Sequence, residues 1–472
     1  MITLSQAIEQ IKKANPIFGA LLDSSQTVND FCQEKILTFQ ATAIHKERQK
    51  GYLQEIKNEI IRLFPNGEVR VNLDEELILD TTEHHNLLNF PAIIGAHLIT
   101  RWSTIFAREK FGDFFVLDTS NVPFTEVLHK RGVEFAGQHI NLYPKKDRNK
   151  LVSHYPLFKF DLVKSAKNSG SHFTVEEMNF LEKLNTKINA VDLSSCQDFS
   201  DQVVKVNLAI WEEFFPPEVL PQVRKCVTLD HNCPLIRFMQ KFFLEQKNNF
   251  VWRALFNQDF RQQVLQEFSG VYGAWDYGKP GGGTHFFWGI TPDGRMTSLF
   301  FENNFLRDRS KILADIPMNP ESITKALQQG IIVPSIFTKF SLVAFYLGAQ
   351  TMGGPGQSEY LPKIKKTWLK ILASVDPAEA NLVNLIPAEV VNTFDMAFYW
   401  GADGNLKKAW GFDVAFKKLF SEEYLKKVGT LPLRDALRPF VPLSYYRLTP
   451  AAERQKIDFR EADLYAGFGW VK

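Results

Sequence analysis

Cysteine is scarce in this chain: Cys32, Cys196, Cys226 and Cys233 are the only four in 472 residues. None stands in a CxxC pair, the spacing of thiolate metal and redox motifs. Thiols this sparse and unpatterned suit a reducing compartment. Charge of one sign is lacking too. Lys and Arg number 55 against 53 Asp and Glu, a net of +2, which leaves no electrostatic footprint for nucleic acid. The basic run Lys145-Lys146-Asp147-Arg148-Asn149-Lys150 reads as a solvated loop. No apolar run approaches the roughly 20 residues that span a bilayer, and the longest candidate is Ser341–Ala349. Met1-Ile2-Thr3-Leu4-Ser5-Gln6 carries no basic stretch leading into an apolar one. The expectation is a cytoplasmic protein with a small-molecule substrate and neither a nucleic-acid nor a membrane partner. Also missing are G-x-x-x-x-G-K-[ST], G-x-G-x-x-G and HExxH. Cofactor and metal are therefore unknown at this level, and use of ATP stays open.

The chain is 45% hydrophobic, as folded globular proteins are, and its 41 Phe read as core filler. Residues 1–68 read as a helical segment, with Ile8, Ile11, Ile17 and Leu21 and later Ile56, Ile60 and Leu63 at helical spacing. Residues 69–360 read as an α/β core and residues 361–472 as mainly helical. Within the core, 285–301 reads as a β-hairpin around Thr291-Pro292-Asp293-Gly294. Residues 157–215 and 235–269 read as helical blocks, 335–349 as a helix, and 357–372 as another.

The stretch from Leu77 to Glu126 points most directly to a site. Leu77–Asp80 reads as a short strand that stops in the polar loop Thr82-Glu83-His84-His85-Asn86. Asn89 is placed to cap a helix opened by Pro91 and lasting to about Lys110. Phe114–Leu117 is a second strand, ending in Asp118-Thr119-Ser120-Asn121. Ligands of open α/β sheets bind beyond the carboxyl ends of the strands. His84 or His85 suits acid–base chemistry there, with Asp118 beside them, and Glu83, Asn86, Asn89, Ser120 and Asn121 are candidate substrate contacts.

Three further strings carry chemistry. Asp230-His231-Asn232-Cys233 invites a Cys/His pair, but neighbours on a strand point to opposite faces. Glycines at 270, 273, 278, 281, 282 and 283 suggest a connector or lid, with His285 just beyond it as a candidate pocket residue. In Met352-Gly353-Gly354-Pro355-Gly356-Gln357-Ser358-Glu359-Tyr360, Gly353 and Gly354 permit close backbone approach to a ligand. Gln357 and Glu359 then open a helix whose N-terminus suits an anion.

The Gly-Gly-Pro-Gly string, with a Glu and a Tyr after it, resembles the G-G-P-x-E-x-x-Y stretch of the bacillithiol-synthesis cysteine-adding enzymes. An apolar helical stretch precedes it there as Pro334–Gln350 does here. The loops 82–86 and 118–121 resemble that family's two polar strand-end loops in outline. The resemblance covers about a third of the chain. The family's Gly-Gln-Gln loop is here Glu-His-His, Gln357-Ser358 displaces the Glu, and Pro362, Pro377 and Pro387 interrupt the region where the family has a coiled coil. It implies a Rossmann-like parallel sheet with a helical N-terminal segment, a hairpin insertion and C-terminal helices. The implied activity is a bond-forming ligase or transferase of biosynthesis that acts on an amino acid or sugar conjugate. Two other readings stand beside it: a metal-dependent hydrolase using His84 and His85, and a non-catalytic assembly protein. The apolar helices of residues 4–64 offer a face for a homodimer.

Overall fold

The computed structural model describes residues 1–36, 38–124, 131–275 and 283–471, with all their side chains except those of Thr82 and Glu83. His129, Gly278, Gly281 and Gly282 lie outside the described residues.

The protein is mixed α/β. Its centre is a five-stranded parallel sheet: β1 (Ile78–His84), β2 (Phe114–Thr119), β3 (Cys226–Asp230), β4 (Gln350–Gly353) and β5 (Val390–Val391). The spatial order is β3-β2-β1-β4-β5, and every adjacent pair is parallel. Alternate strand residues enter different cores. Ile78, Phe114, Val116, Cys226 and Met352 join one apolar cluster, and Leu79, Phe115, Leu117, Val227 and Leu229 join another. The period-2 alternation of a strand thus serves two buried faces rather than one.

Helices cover both faces. α2 (Pro91–Thr100) and α3 (Phe199–Glu213) supply the first cluster with Ile93, Ile94, Val203, Val206 and Trp211. α1 (Ala43–Leu63), α4 (Asn232–Glu245) and α5 (Gln357–Val375) supply the second with Tyr52, Ile56, Leu235, Phe238, Leu361 and Trp368. Of the apolar residues in the N-terminal helices, Ile11, Ile56, Ile60 and Leu63 are buried against the rest of this chain, while Ile44 and Ile61 are exposed.

The hairpin expected at 285–301 forms from Phe287–Ile290 and Met296–Glu302, and it belongs to a larger antiparallel sheet of five strands. The strand Ile332–Pro334 closes one edge of that sheet and leads directly into the helix Ile336–Lys339.

Four local expectations need correction. The first strand does not stop at Asp80 but runs to His84, because Asp80 is buried beside His97 of α2, 3.4 Å away, and need not face water. The helix opened by Pro91 ends at Thr100 rather than near Lys110. Arg101 turns out of it to reach Glu75 at 3.1 Å, and only short helical turns follow. Asn89 does not cap that helix. Its side chain bonds the backbone of Glu134 in both directions, at 2.9 and 3.2 Å. The helical run before the glycine string stops earlier than expected, and Gln350–Gly353 becomes a central strand.

Close approach between α2 and the segment after β5 depends on Gly95, where an added Cβ would sit 1.9 Å from the Phe394 carbonyl oxygen. Gly95→Ala should lower unfolding stability in urea by about 1–3 kcal/mol or more, the range for overpacked cores. Unchanged stability would contradict this contact.

Candidate functional site

Strand order reverses at the centre of the sheet. From β1 the chain builds outward through β2 and β3, then returns to the other side of β1 for β4 and β5. At such a break the loops leaving the two central strands part to opposite faces and open a crevice at their carboxyl ends. Residues far apart in sequence meet there. The Thr81 hydroxyl donates to the Met352 carbonyl at 3.1 Å, 271 positions away, and also touches Gln357 Oε1. No side chain fits at Gly353, since a Cβ would lie 2.3 Å from Gln357 Oε1 and 2.4 Å from Thr81 Oγ1. The turn after it is clamped from the N-terminal helices by Asn15, whose Nδ2 donates to Pro355 O and Ser358 Oγ, both at 2.8 Å.

The crevice has a volume of about 400 Å³, and Thr81, His84, Gly354, Gln357, Thr393 and Arg447 line it. Glu359 also borders it, with its carboxylate 3.0 Å from Lys363. The N-terminus of the 19-residue α5 opens onto it, and the Gln357 Nε2 is buried there without a hydrogen-bond partner among the described residues. Tyr272, from the start of the glycine segment, lies edge-on to Tyr360 at 5.9 Å and forms one lip. Gly273 permits this, with φ +91° and a Cβ position only 2.9 Å from Tyr360.

The two adjacent histidines part company. His84 lines the crevice. His85 is fully buried: its Nδ1 lies 2.5 Å from Asp118 Oδ2 and its Nε2 lies 2.8 Å from the Ser200 carbonyl. With acceptors at both nitrogens the ring carries two protons. Burial works against that charge, but Asp118, Asp230 and the Ser200 carbonyl outweigh it and hold the imidazole up to about 10. His85 and Asp118 therefore form a buried ion pair beneath the crevice, not a solvated acid–base pair.

Around that pair sits a polar network at the ends of β2 and β3. Asp230 accepts from Ser120, from Ser200 at 3.1 Å, and from the Asn232 backbone and side chain at 3.0 and 2.8 Å. Lys339, 7% exposed, donates to Thr119 Oγ1 at 3.2 Å. Burial lowers its amine to about 8, with Asp230 and Asp118 pulling the other way.

The remaining candidates scatter. Asn86 is buried under Tyr143, which donates to it at 2.6 Å. Ser120 and Asn121 serve the network instead of the crevice, the latter through Asn232 at 3.1 Å. Asn89 holds the Glu134 backbone. His285 accepts from the Phe301 amide at 2.8 Å and is wedged against Trp275 and Phe300. Burial lowers its imidazole to about 4. The Glu83 side chain lies outside the described residues. Cys233 and His231 make no nucleophilic pair. Burial drives the thiol well above its usual range and the imidazole well below. Crevice and network thus hold His84, His85, Asp118, Gly353, Gly354, Gln357 and Glu359 together, while Asn86, Asn89 and His285 stand apart. Sequence reasoning missed Arg447, Asp230 and Lys339. Lys339 carried a signal as the single charge in the run Pro334–Gln350, and Asp230 opened a string read only for its Cys and His.

A second cavity, of about 450 Å³, lies against Asn29, Trp102 and Lys426. It is built on the connection from α2 back to β2, at the amino side of the strand, and holds none of this chemistry. Among the described residues no three His, Cys, Asp or Glu side chains are grouped to hold a metal ion. No described helix is long and apolar enough to cross a membrane. A scan against protein-family models gave no match, and a search of the curated proteins gave none.

The ion pair has a measurable consequence. His85 is raised above its unfolded value of about 6.5, so its stabilisation is complete below that pH and fades as pH rises through about 10. His85→Leu should cost about 3–5 kcal/mol at pH 6, because it strands a buried carboxylate. The gap between wild type and variant in denaturant unfolding should narrow by pH 9.5. A gap that stays constant or widens with pH would contradict the assignment.

Proposed function

We propose that this protein is a small-molecule enzyme on a Rossmann-like sheet. It is read as a bond-forming ligase or transferase of specialised metabolism that takes an anionic amino-acid or sugar-conjugate substrate. The observation that carries the reading is the crevice at the carboxyl ends of the paired strands β1 and β4. The strand order supports it, being that of the first five strands of the dinucleotide-binding arrangement, in which ligands sit at this break. The four free thiols and the absence of a membrane-crossing helix among the described residues fit a cytoplasmic setting.

Each crevice residue has a role in this reading. Arg447 and the N-terminus of α5 hold an anionic group of the substrate, and Gly354 lets it approach the backbone. His84 exchanges a proton with the reacting group. The His85–Asp118 pair fixes the floor on which His84 stands. The bond-forming class rests on the resemblance to the cysteine-adding enzymes, in which an amine-bearing thiol joins an amino-sugar malate conjugate.

The test is incubation with cysteine and such a conjugate, with mass spectrometry for a product equal to their sum less one water. His84→Ala should lower kcat by about 10²–10⁴. Arg447→Ala should raise KM for the anionic partner roughly tenfold or more, the range for a charged hydrogen bond. Turnover unaffected by both changes would place the reaction elsewhere. No turnover together with no anion binding would remove the enzyme reading.

A further inference from the structure

The polar groups described above account for only part of the crevice lining. Phe90, Tyr272, Ile336, Tyr360, Phe440 and Leu448 supply an apolar part that is rich in aromatic rings. Ile336 is 40% exposed, and Tyr272, Tyr360 and Leu448 are half-buried, so much of this wall is accessible. Small-molecule sites combine such walls with a few polar groups that fix orientation.

Tyr272 is held at the lip by a tight turn. The Gly270 amide donates to the Trp275 carbonyl at 3.4 Å, and the Ala274 amide donates to the Val271 carbonyl at 3.0 Å. Trp275 is fully buried and donates through its indole nitrogen to the Leu265 carbonyl at 3.2 Å. Val271 packs against the same apolar cluster. Between these two anchors, Tyr272 lines the crevice and meets the Tyr360 ring edge-on. The Lys363 ammonium, 3.0 Å from Glu359, lies 5.7 Å from the centroid of the Tyr272 ring. A ring already fixed in place loses little freedom when a ligand packs on it, and aromatic pairs gain beyond the area they bury.

The cation of the crevice and one of its aromatics come from the same helix. Arg447 lies in Val441–Leu448, and Phe440 immediately precedes that helix. Seven residues separate them, two turns and about 10 Å along the axis. One small molecule can therefore reach both, with an anionic end at Arg447 and a ring against the apolar wall.

We propose that the anionic substrate carries an aromatic ring, seated against Tyr272 and Tyr360, and that Tyr272 is the residue that selects for it. This rests on the crevice being the substrate site, and it narrows the amino acid or conjugate read above to an aromatic one. A sugar would bring hydroxyls to a wall with few groups to meet them, which is costly, whereas a flat aromatic ring brings none.

NMR titration of the intact protein with matched carboxylates tests this. 3-Phenylpropionate should bind about tenfold or more tightly than propionate, the range for burying one aromatic side chain. It should also bind more tightly than glucuronate. Arg447→Ala should weaken 3-phenylpropionate roughly tenfold. Tyr272→Ala should cut the preference for 3-phenylpropionate over propionate by about threefold or more, and Tyr272→Phe should keep it. Equal binding of 3-phenylpropionate and propionate through Arg447 overturns the proposal and leaves the crevice reading standing. Tighter Arg447-dependent binding of glucuronate, or a preference unchanged in Tyr272→Ala, does the same. If no carboxylate binds in an Arg447-dependent way, the crevice reading itself fails, and this inference falls with it.

Discussion

The parallel pairing of β1 with β4 is the constraint on which the rest depends. It joins Ile78–Asp80 to Gln350–Met352, segments separated by most of the chain, and puts a strand-order break at the middle of the sheet. Glycine at 353 is a consequence, because the two strands meet with Thr81 and Gln357 filling the space a Cβ would need. The N-terminal helices are drawn in as well, through the Asn15 clamp on the Pro355 turn. A change that separates these strands dismantles the crevice, the turn and the clamp together.

Beside the break the sheet carries an unusual load of buried charge. Asp118, Asp230, His85 and Lys339 are all nearly inaccessible. Desolvating charged groups is costly, and replacing buried ion pairs with apolar residues is often neutral or stabilising. A fold optimised only for stability would have little reason to keep four such groups at the carboxyl edge. Perturbed titration next to a cleft is a recurrent mark of functional chemistry. The network also explains why the paired histidines differ. Alternation along an extended chain sends His84 toward the crevice and His85 into the interior, so one lines the crevice and the other is locked against Asp118.

Much of this was legible in the residues. Pro91 at a first helical position and the apolar runs on either side marked the β-α-β unit. Thr291-Pro292-Asp293-Gly294 marked the hairpin, and the Gly-Gly-Pro-Gly string marked a crowded backbone position, although its neighbours at Gly353 are Thr81 and Gln357 of this chain. Other parts were not. Gln350–Gly353 is four residues at the end of an apolar helical run, and Val390–Val391 is two. Their strand character comes from the partner they join, not from their own propensity. Cys226–Asp230 is buried on both faces and shows no alternation to distinguish it. The polar candidates Asn86, Asn89 and His285 were misplaced for a shared reason. Each is consumed by a local hydrogen bond to Tyr143, Glu134 or Phe301 that sequence spacing cannot announce.

The most direct test of the account is where a bound anionic substrate or product lies in a crystal structure of the complex. The account predicts electron density over the carboxyl ends of β1 and β4, with the anionic group against Arg447 and the start of α5 and the reacting atoms near His84. Density in the cavity beside Asn29 and Trp102 instead, with the crevice left empty, would contradict it.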